Sequence, residues 1–341
     1  MSLRLDELHH PVSVTSAGYA WPDAGVQRAT IPDLTDLSVI IVSWNSLEYL
    51  SACLSSVYAA ANGDPIEVIV IDNGSVDGSP DLIRHRFPAA RLIVNDQNRG
   101  CTVAFNQGLH LSTGQYVLLL CSDTVVQPAA LHRMRAFLEA HPDAGAVGPQ
   151  LRYPDGRLQP SCRAFPTYTT FVWEFMGFSR LFPAHPVFGR WRMGDFDHQA
   201  LREVDQPRGS SLMVRREVVS QVGLMDEQFE MFFNDVDWCL RMKQQGWKIY
   251  FLPSARLIHH GGGSVRKVRP RMILMSHRSC YRFFKKYQRS IGQAVATRIL
   301  GLALLASAGI RYLIARATGP GYRFPTQPAA PPFELRAVNN T

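Results

Sequence analysis

The sequence predicts an α/β fold with a mostly parallel sheet covered by helices on both faces, and three observations carry that prediction. Short β-branched, apolar runs alternate with segments of helical spacing between Leu37 and Ala140. The runs are apolar on both faces, as strands buried in a parallel sheet must be. The residues that follow them are polar or small, at the strand ends where sheets of this kind bind ligands.

Each element can be justified in turn. Residues 1–35 hold three prolines and no sustained period, and read as an N-terminal extension with short elements at most. The run Leu37–Val42 is the first strand, and the spacing of Leu47, Leu50, Leu54 and Val57 predicts the helix after it. Glu67–Ile71 is a strand, Pro80–Arg86 a short helix, Arg91–Val94 a strand and Val103–Leu111 a helix. Gln115–Leu120 is a further buried strand, and a helix runs from Pro128, placed in its first turn, to Ala140. From Val147 to about Trp191 the chain becomes aromatic and proline-rich, with a turn at Tyr153-Pro-Asp-Gly156. Strand-like pieces at Ser211–Val214 and Trp247–Leu252 flank a helix over Asp235–Gln245. Residues 271–316 read as helical, and the chain from Thr318, with five prolines, as a flexible tail. The expected division is an extension (1–35), two halves of an α/β unit (36–150 and 151–265), a basic helical region (266–318) and a tail (319–341).

Length and composition narrow the function classes. A chain of 341 residues with 46% hydrophobic and 19% charged residues buries a sizeable core without disulfides. No stretch approaches 18 uninterrupted apolar residues, and the N-terminus lacks the apolar core of a signal peptide, so the expectation is a cytoplasmic chain. Six scattered cysteines without a CxxC pair fit reduced, structural thiols better than a zinc site. The net charge of +8 is unevenly placed: residues 1–237 hold 18 Lys/Arg against 27 Asp/Glu, whereas 238–332 hold 17 Lys/Arg and no acid. Such a surplus suits an anionic membrane face, and the absence of a nucleic-acid motif argues against DNA or RNA.

The residues after the strands are candidates for chemistry. Ser43-Trp44-Asn45, Asp72-Asn73-Gly74-Ser75 and Cys121-Ser122-Asp123-Thr124 follow three strands and describe one cleft. Asp72 could accept hydrogen bonds from a base or ribose, or close an Asx-turn. Asp123 could hold a divalent cation against a diphosphate, or cap a helix. Asp235 and Asp237 stand about 200° apart on a helix, so one faces the cleft as a potential general base while the other caps or pairs. In His259-His260-Gly-Gly-Gly-Ser264 one histidine could ligate a metal or phosphate while the glycines wrap an anion. There is no GxxxxGK[ST], no GxGxxG after a strand and no HExxH, which removes P-loop, dinucleotide-binding and zinc-protease readings.

Taken together, Leu37–Ser46, Val70–Ser79, Asn98-Arg-Gly100 with Asn106-Gln-Gly108, Leu118–Thr124, Gly223–Glu227 and Phe232–Arg241 resemble, in order and spacing, the motifs of family 2 glycosyltransferases. Tyr153–Gly156 and His259–Ser264 are similar to segments of its rhamnosyltransferase-like members, and the resemblance covers about residues 37–265. It implies a GT-A fold and inverting transfer of a sugar, L-rhamnose from a dTDP donor being favoured, from a nucleoside diphosphate to a glycan or lipid-linked acceptor of the cell envelope. By the same resemblance Ser43, Asn45, Asp72, Asp77, Asn98, Ser122 and Asp123 bind the nucleotide, Asp123 and His259 a divalent cation (Mg²⁺ or Mn²⁺), and Asp235 is the catalytic base. Two positions depart from the pattern: Cys121 replaces the first acid of Asp-x-Asp, and Asn234 stands where an acid usually precedes the base. The first departure keeps open a non-catalytic nucleotide-sugar or glycan-binding protein on the same scaffold. The apolar run Ile299–Ile310, about 18 Å as a helix, is too short for a ~30 Å hydrocarbon core and is expected to lie in the membrane interface or to pack on protein.

Overall fold

A computed structural model of the chain describes residues 36–261 and 269–317. The sequence-predicted extension (1–35), most of the glycine run (262–264) and the tail (319–341) lie outside the described residues.

The first half alternates as expected: β1 (Leu37–Ser43), α1 (Leu47–Ala61), β2 (Ile66–Asp72), α2 (Ser79–Arg86), β3 (Arg91–Val94), α3 (Cys101–Leu111), β4 (Tyr116–Cys121), β5 (Thr124–Val126) and α4 (Ala130–Ala140). It continues through β6 (Ala144–Arg152), β7 (Leu158–Gln159), β8 (Cys162–Arg163), α5 (Tyr168–Phe175), α6 (Phe178–Leu181), β9 (Arg202–Glu203), β10 (Gln206–Pro207), β11 (Ser211–Arg215), α7 (Arg216–Val222), α8 (Asn234–Gln244) and β12 (Lys248–His259). Two long helices, α9 (Arg269–Tyr287) and α10 (Ile291–Ala317), follow.

The main sheet has the order β3-β2-β1-β4-β11-β6-β12-β5. Strands β1 to β4 are parallel, β11 runs antiparallel between β4 and β6, β12 is parallel to β6, and β5 returns antiparallel along β12. Alternation along the buried strands separates the two cores. Val39 and Ile41 face Leu50, Leu54 and Val57 of α1, whereas Ile40 faces Phe105 and Leu109 of α3. A Cβ at Gly108 would stand 2.2 Å from Ile40 Cγ2, so the glycine lets α3 lie directly on β1. A third cluster joins Val236 and Leu240 of α8 to Phe283, Phe284, Leu300 and Leu304, docking the C-terminal helices on the α/β unit.

Three features differ from the sequence reading. Strand β6 occupies nine residues where the sequence shows only a change of composition, because Gly145, Gly148 and Pro149 interrupt its β-signal. Gly148 has a packing reason, since a Cβ there would lie 2.5 Å from Pro207 Cβ. The strand expected to end at Leu252 continues as β12 to His259, with a register shift between Leu252 and Arg256, around Pro253. Helix α10 is longer than its apolar run: Ile291–Ala315 is long and apolar enough, by length and composition, to cross a membrane.

Candidate active site

Register builds the site before any side chain is considered. Ser43 pairs with Asp72 and Val42 with Cys121, which brings the loops after β1, β2 and β4 together. The Cys121 N–H donates to Ser210 O at 3.0 Å, adding the segment before β11. His259 pairs with Thr124, and His260 N–H donates to Asp123 O at 3.0 Å, adding the end of β12.

The candidate nucleoside residues form a bonded network. Asp72 is fully buried, and its two oxygens accept from Ser75 N–H (2.8 Å) and Ser75 Oγ (2.7 Å), an Asx-turn at the strand end. Asn45 N–H donates to Ser75 Oγ (2.8 Å) and Asn45 Oδ1 accepts from Val76 N–H (2.9 Å), which fastens the first two loops together. Ser43 Oγ shares a hydrogen bond with Ser46 Oγ at 3.0 Å, and Ser122 is buried beside them at the end of β4. Asp77 accepts from Leu47 N–H and from Ser79 N–H, both at 3.0 Å, and from Ser79 Oγ at 2.6 Å, serving the first turns of α1 and α2. Burial works to raise its carboxyl, but the hydrogen bonds from Ser79 and Leu47 prevail and hold it below the ordinary carboxylate value. Asn98 is exposed and accepts from Gly100 N–H at 2.9 Å. Its loop is tied to the Asp72 loop through buried Asn73, which accepts from Asn95 Nδ2 at 2.9 Å and donates to Gly100 O at 3.0 Å.

Asp123 and His259, separated by most of the chain, come together with Oδ1 and Nε2 3.5 Å apart. His259 is buried, and its Nδ1 donates to Gln159 Oε1 at 2.7 Å. With the Nδ1 proton so committed, Nε2 faces the carboxylate, an arrangement completed by a positive charge: a proton on Nε2 or a cation between the two groups. Among the described residues no group of three or more His, Cys, Asp or Glu side chains could hold a metal, so those residues bring a pair of donors together there and not a closed cage.

Asp235 opens α8. Phe233, which caps the helix just before Asn234, adopts φ 68°, a left-handed conformation rare for a bulky side chain and stabilised by packing on Phe283, 5.5 Å between ring centroids. Asp235 Oδ2 accepts from Gly209 N–H at 2.9 Å and Oδ1 from Val236 N–H at 2.9 Å. Gly209 has no room for a side chain, because a Cβ would lie 2.8 Å from Asp235 Cβ. Burial raises the Asp235 carboxyl above its ordinary value, against the hydrogen bonds from Gly209 and Val236 and the charge of Arg208. Cys101 connects the two halves of the site: its thiol is pushed up to about 12 by burial and by the charges of both Asp235 and Asp123. Asn234 turns away from the cleft, buried with Nδ2 3.9 Å from Met225 Sδ. Gly209 and Gln159 carried no signal in the sequence; both are contacts made by short strands and loops of the segment between β6 and α8.

Sheet, strand-end carboxylate with histidine, and helix-start carboxylate define a GT-A glycosyltransferase fold. Family models for "Glycosyl transferase family 2" and "Glycosyl transferase family group 2" match residues 38–193 and 116–314, the second more than half of the chain. The chain belongs to the family 2 glycosyltransferases. It is 29% identical over 262 residues to the N-acetylglucosaminyl-diphospho-decaprenol L-rhamnosyltransferase of Mycobacterium tuberculosis, covering 73% of this chain and 84% of that one. It is 25% identical over 240 residues to the O-antigen biosynthesis protein RfbC of Myxococcus xanthus, covering 67% of this chain but 18% of that one. Among solved structures, GalNAc-T7 with UDP, GalNAc and Mn²⁺ superimposes with a TM-score of 0.52 at 16% identity, covering 78% of this chain and 54% of that one.

Proposed function

We propose that this chain is an inverting glycosyltransferase that moves a sugar, L-rhamnose from dTDP-rhamnose by preference, to a hydroxyl of a lipid-linked envelope glycan. The observation that carries the reading is Asp235: a half-buried carboxylate with a raised pKa, held by Gly209 N–H at the start of α8 and near Cys101, whose thiol feels the charges of both Asp235 and Asp123. In the reaction the acceptor hydroxyl attacks the anomeric carbon as its proton passes to the Asp235 carboxylate. The bond from that carbon to the diphosphate breaks, and the nucleoside diphosphate leaves with the electron pair. Ser43, Asn45, Asp72, Asp77, Asn98 and Ser122 are assigned to the nucleotide, the buried ones by shaping the loops and the exposed ones by contact. Asp123 and His259 Nε2 would hold a divalent cation, Mg²⁺ or Mn²⁺, whose charge would offset that of the departing diphosphate.

The C-terminal helices support a peripheral location on the cytoplasmic face of the membrane. One side of α10 is packed through Leu300, Leu304 and Ala308, while Ile299, Leu302, Leu305, Ile310 and Leu313 are exposed along the other. Tyr168 Oη lies 2.9 Å from Thr297 Oγ1, joining α10 to α5, where Phe175 and Met176 add further exposed apolar surface. With 17 basic residues and no acid between Trp238 and Pro332, such a surface matches an anionic leaflet.

The test is nucleotide release by the full chain from a panel of dTDP-, UDP- and GDP-sugars, with membrane lipid extract, in Mg²⁺, Mn²⁺ or EDTA. Release that selects one donor and disappears in Asp235→Asn establishes the transferase. Nucleotide binding without release under any condition, and no effect of Asp235→Asn, would instead favour the binding-protein reading that Cys121 suggests.

A further inference from the structure

Strands β8 and β10 form a two-residue antiparallel ribbon beside the site, in which Cys162 pairs with Pro207 and Arg163 with Gln206. Cys162 belongs to the apolar core and Pro207 packs against Gly148, so that pair turns toward the main sheet. Successive side chains alternate, which puts Arg163, and Arg208 just beyond Pro207, on the opposite face. There the two are diagonal neighbours, about 7–8 Å apart at the backbone and within reach of each other's long side chains. Arg208 immediately precedes Gly209, whose N–H holds the Asp235 carboxylate at 2.9 Å.

This pair of guanidinium groups has no acid in direct contact. Neither Arg163 nor Arg208 makes an ion pair within 4 Å among the described residues, and Arg163 has a single hydrogen bond, to Cys162 O at 2.7 Å. The carboxylate that could serve them, Glu174, is occupied by Arg192, whose Nε donates to it at 2.9 Å. Burial, then the charges of Arg208 and Arg192, lowers the Arg163 guanidinium to about 10, a sign of cations gathered in a poorly solvated place. Arg208 is also felt by both Asp235 and Cys121, and the residues after it bind both, Gly209 N–H to the Asp235 carboxylate and Ser210 O to Cys121 N–H. The hydroxyls of Ser161 and Ser210, residues bordering this face, are buried without hydrogen-bond partners. Two unpaired guanidinium groups and two unfilled hydroxyls match the oxygens of a diphosphate.

We infer that Arg163 and Arg208 form a binding site for a substrate diphosphate beside the base. The inference rests on the transferase reading and adds a charge that this reading does not assign. The diphosphate has two sources, the nucleotide of the donor and the lipid carrier of the acceptor. Arg208 could reach either, and Arg163, nearer to α5 and the exposed apolar surface, inclines the pair toward the carrier.

Calorimetry on the full-length protein in EDTA distinguishes them, using dTDP, UDP and GDP as nucleotide probes and farnesyl diphosphate as the lipid diphosphate probe. Arg163→Gln and Arg208→Gln should each weaken one probe class at least tenfold, with Arg208→Lys retaining part of the affinity and thermal melts verifying the fold. Loss confined to farnesyl diphosphate assigns the carrier; loss confined to the nucleotides assigns the donor. Wild-type affinity for every probe in both variants, or a wild-type protein that binds none, overturns the inference. Donor-selective turnover measured in parallel would still leave the transferase reading standing in that case.

Discussion

Asp237, two residues after Asp235, ties α8 to the C-terminal helices: its fully buried carboxylate accepts from Arg241 Nε at 2.9 Å, Lys286 Nζ at 2.6 Å and Tyr287 Oη at 2.8 Å. Lys286 also reaches Asp226 at 2.7 Å, and Arg241 donates to Val222 O and Leu224 O, both at 2.7 Å, so one polar knot fastens α7, α8 and α9.

Removing that fully buried carboxylate takes from Arg241 its acid, while the more exposed Lys286 keeps Asp226. Asp237→Ala should cost about 3–5 kcal/mol of unfolding free energy, measured by denaturant titration, because breaking a buried pair from one side exposes the desolvation of the other. A loss under about 1 kcal/mol, typical of a surface pair, would show that the knot contributes little.

Asp235 makes a prediction in two opposite directions. Its folded pKa is raised above the ordinary 3.8, so the native state retains a proton that the unfolded chain has released. The stability contributed is therefore complete below the unfolded value and lost as pH rises through the folded one. Asp235→Asn should melt at a higher temperature than wild type at neutral pH, with the gap closing in acid, while turnover falls by about 10²–10⁴-fold. The wild-type rate should rise with pH through a limb displaced above the normal carboxylate range. A limb at the ordinary value would contradict the role assigned to burial.

Gly209→Ala tests positioning separately from charge. The added methyl group, 2.8 Å from Asp235 Cβ, must displace the base or the loop. We expect kcat to fall by about 10²-fold, as for a misplacement near 1 Å, with nucleotide affinity nearly unchanged. A parallel loss of nucleotide binding would mean that the loop, not the base, had moved.

Gln159→Leu removes the acceptor that orients His259 through Nδ1. If the Asp123–His259 pair holds the cation, the Mn²⁺ concentration for half-maximal turnover, or for Mn²⁺ binding followed by electron paramagnetic resonance, should rise about 10–100-fold. An unchanged Mn²⁺ dependence would remove His259 from the cation site.

Leu302→Glu with Leu305→Glu places two charges on the exposed side of α10, where both leucines face outward. Co-sedimentation with vesicles containing anionic lipid should be lost while the far-ultraviolet spectrum and melting temperature stay near wild type. Equal sedimentation of variant and wild type would assign α10 to another partner.

The alternation of buried strands and helices from β1 to α4 was legible in the sequence because each segment carries its own periodicity. That one of Asp235 and Asp237 would be paired was legible too, since an offset of about 200° sends the two carboxylates into different surroundings, and Asp237 is the paired one. The partners were not. Lys286 and Gln159 meet Asp237 and His259 across 49 and 100 residues of chain, and no local pattern encodes such meetings. Strand β6 escaped notice because its two glycines serve close packing on Trp247 and Pro207 instead of β-propensity, and Pro149 interrupts the pattern further.

The packing of α8 against α10 also acts as a ruler. Val236 and Leu240, one turn from the base, share a cluster with Leu300 and Leu304, whose helix presents the exposed stripe on its other side. With that stripe seated on a bilayer, the height of the Asp235 carboxylate above the lipid is a constant of the fold. Were the proposed acceptor carried on a lipid, the number of sugar units between carrier and reacting hydroxyl would be set by that same height, before any sugar is recognised.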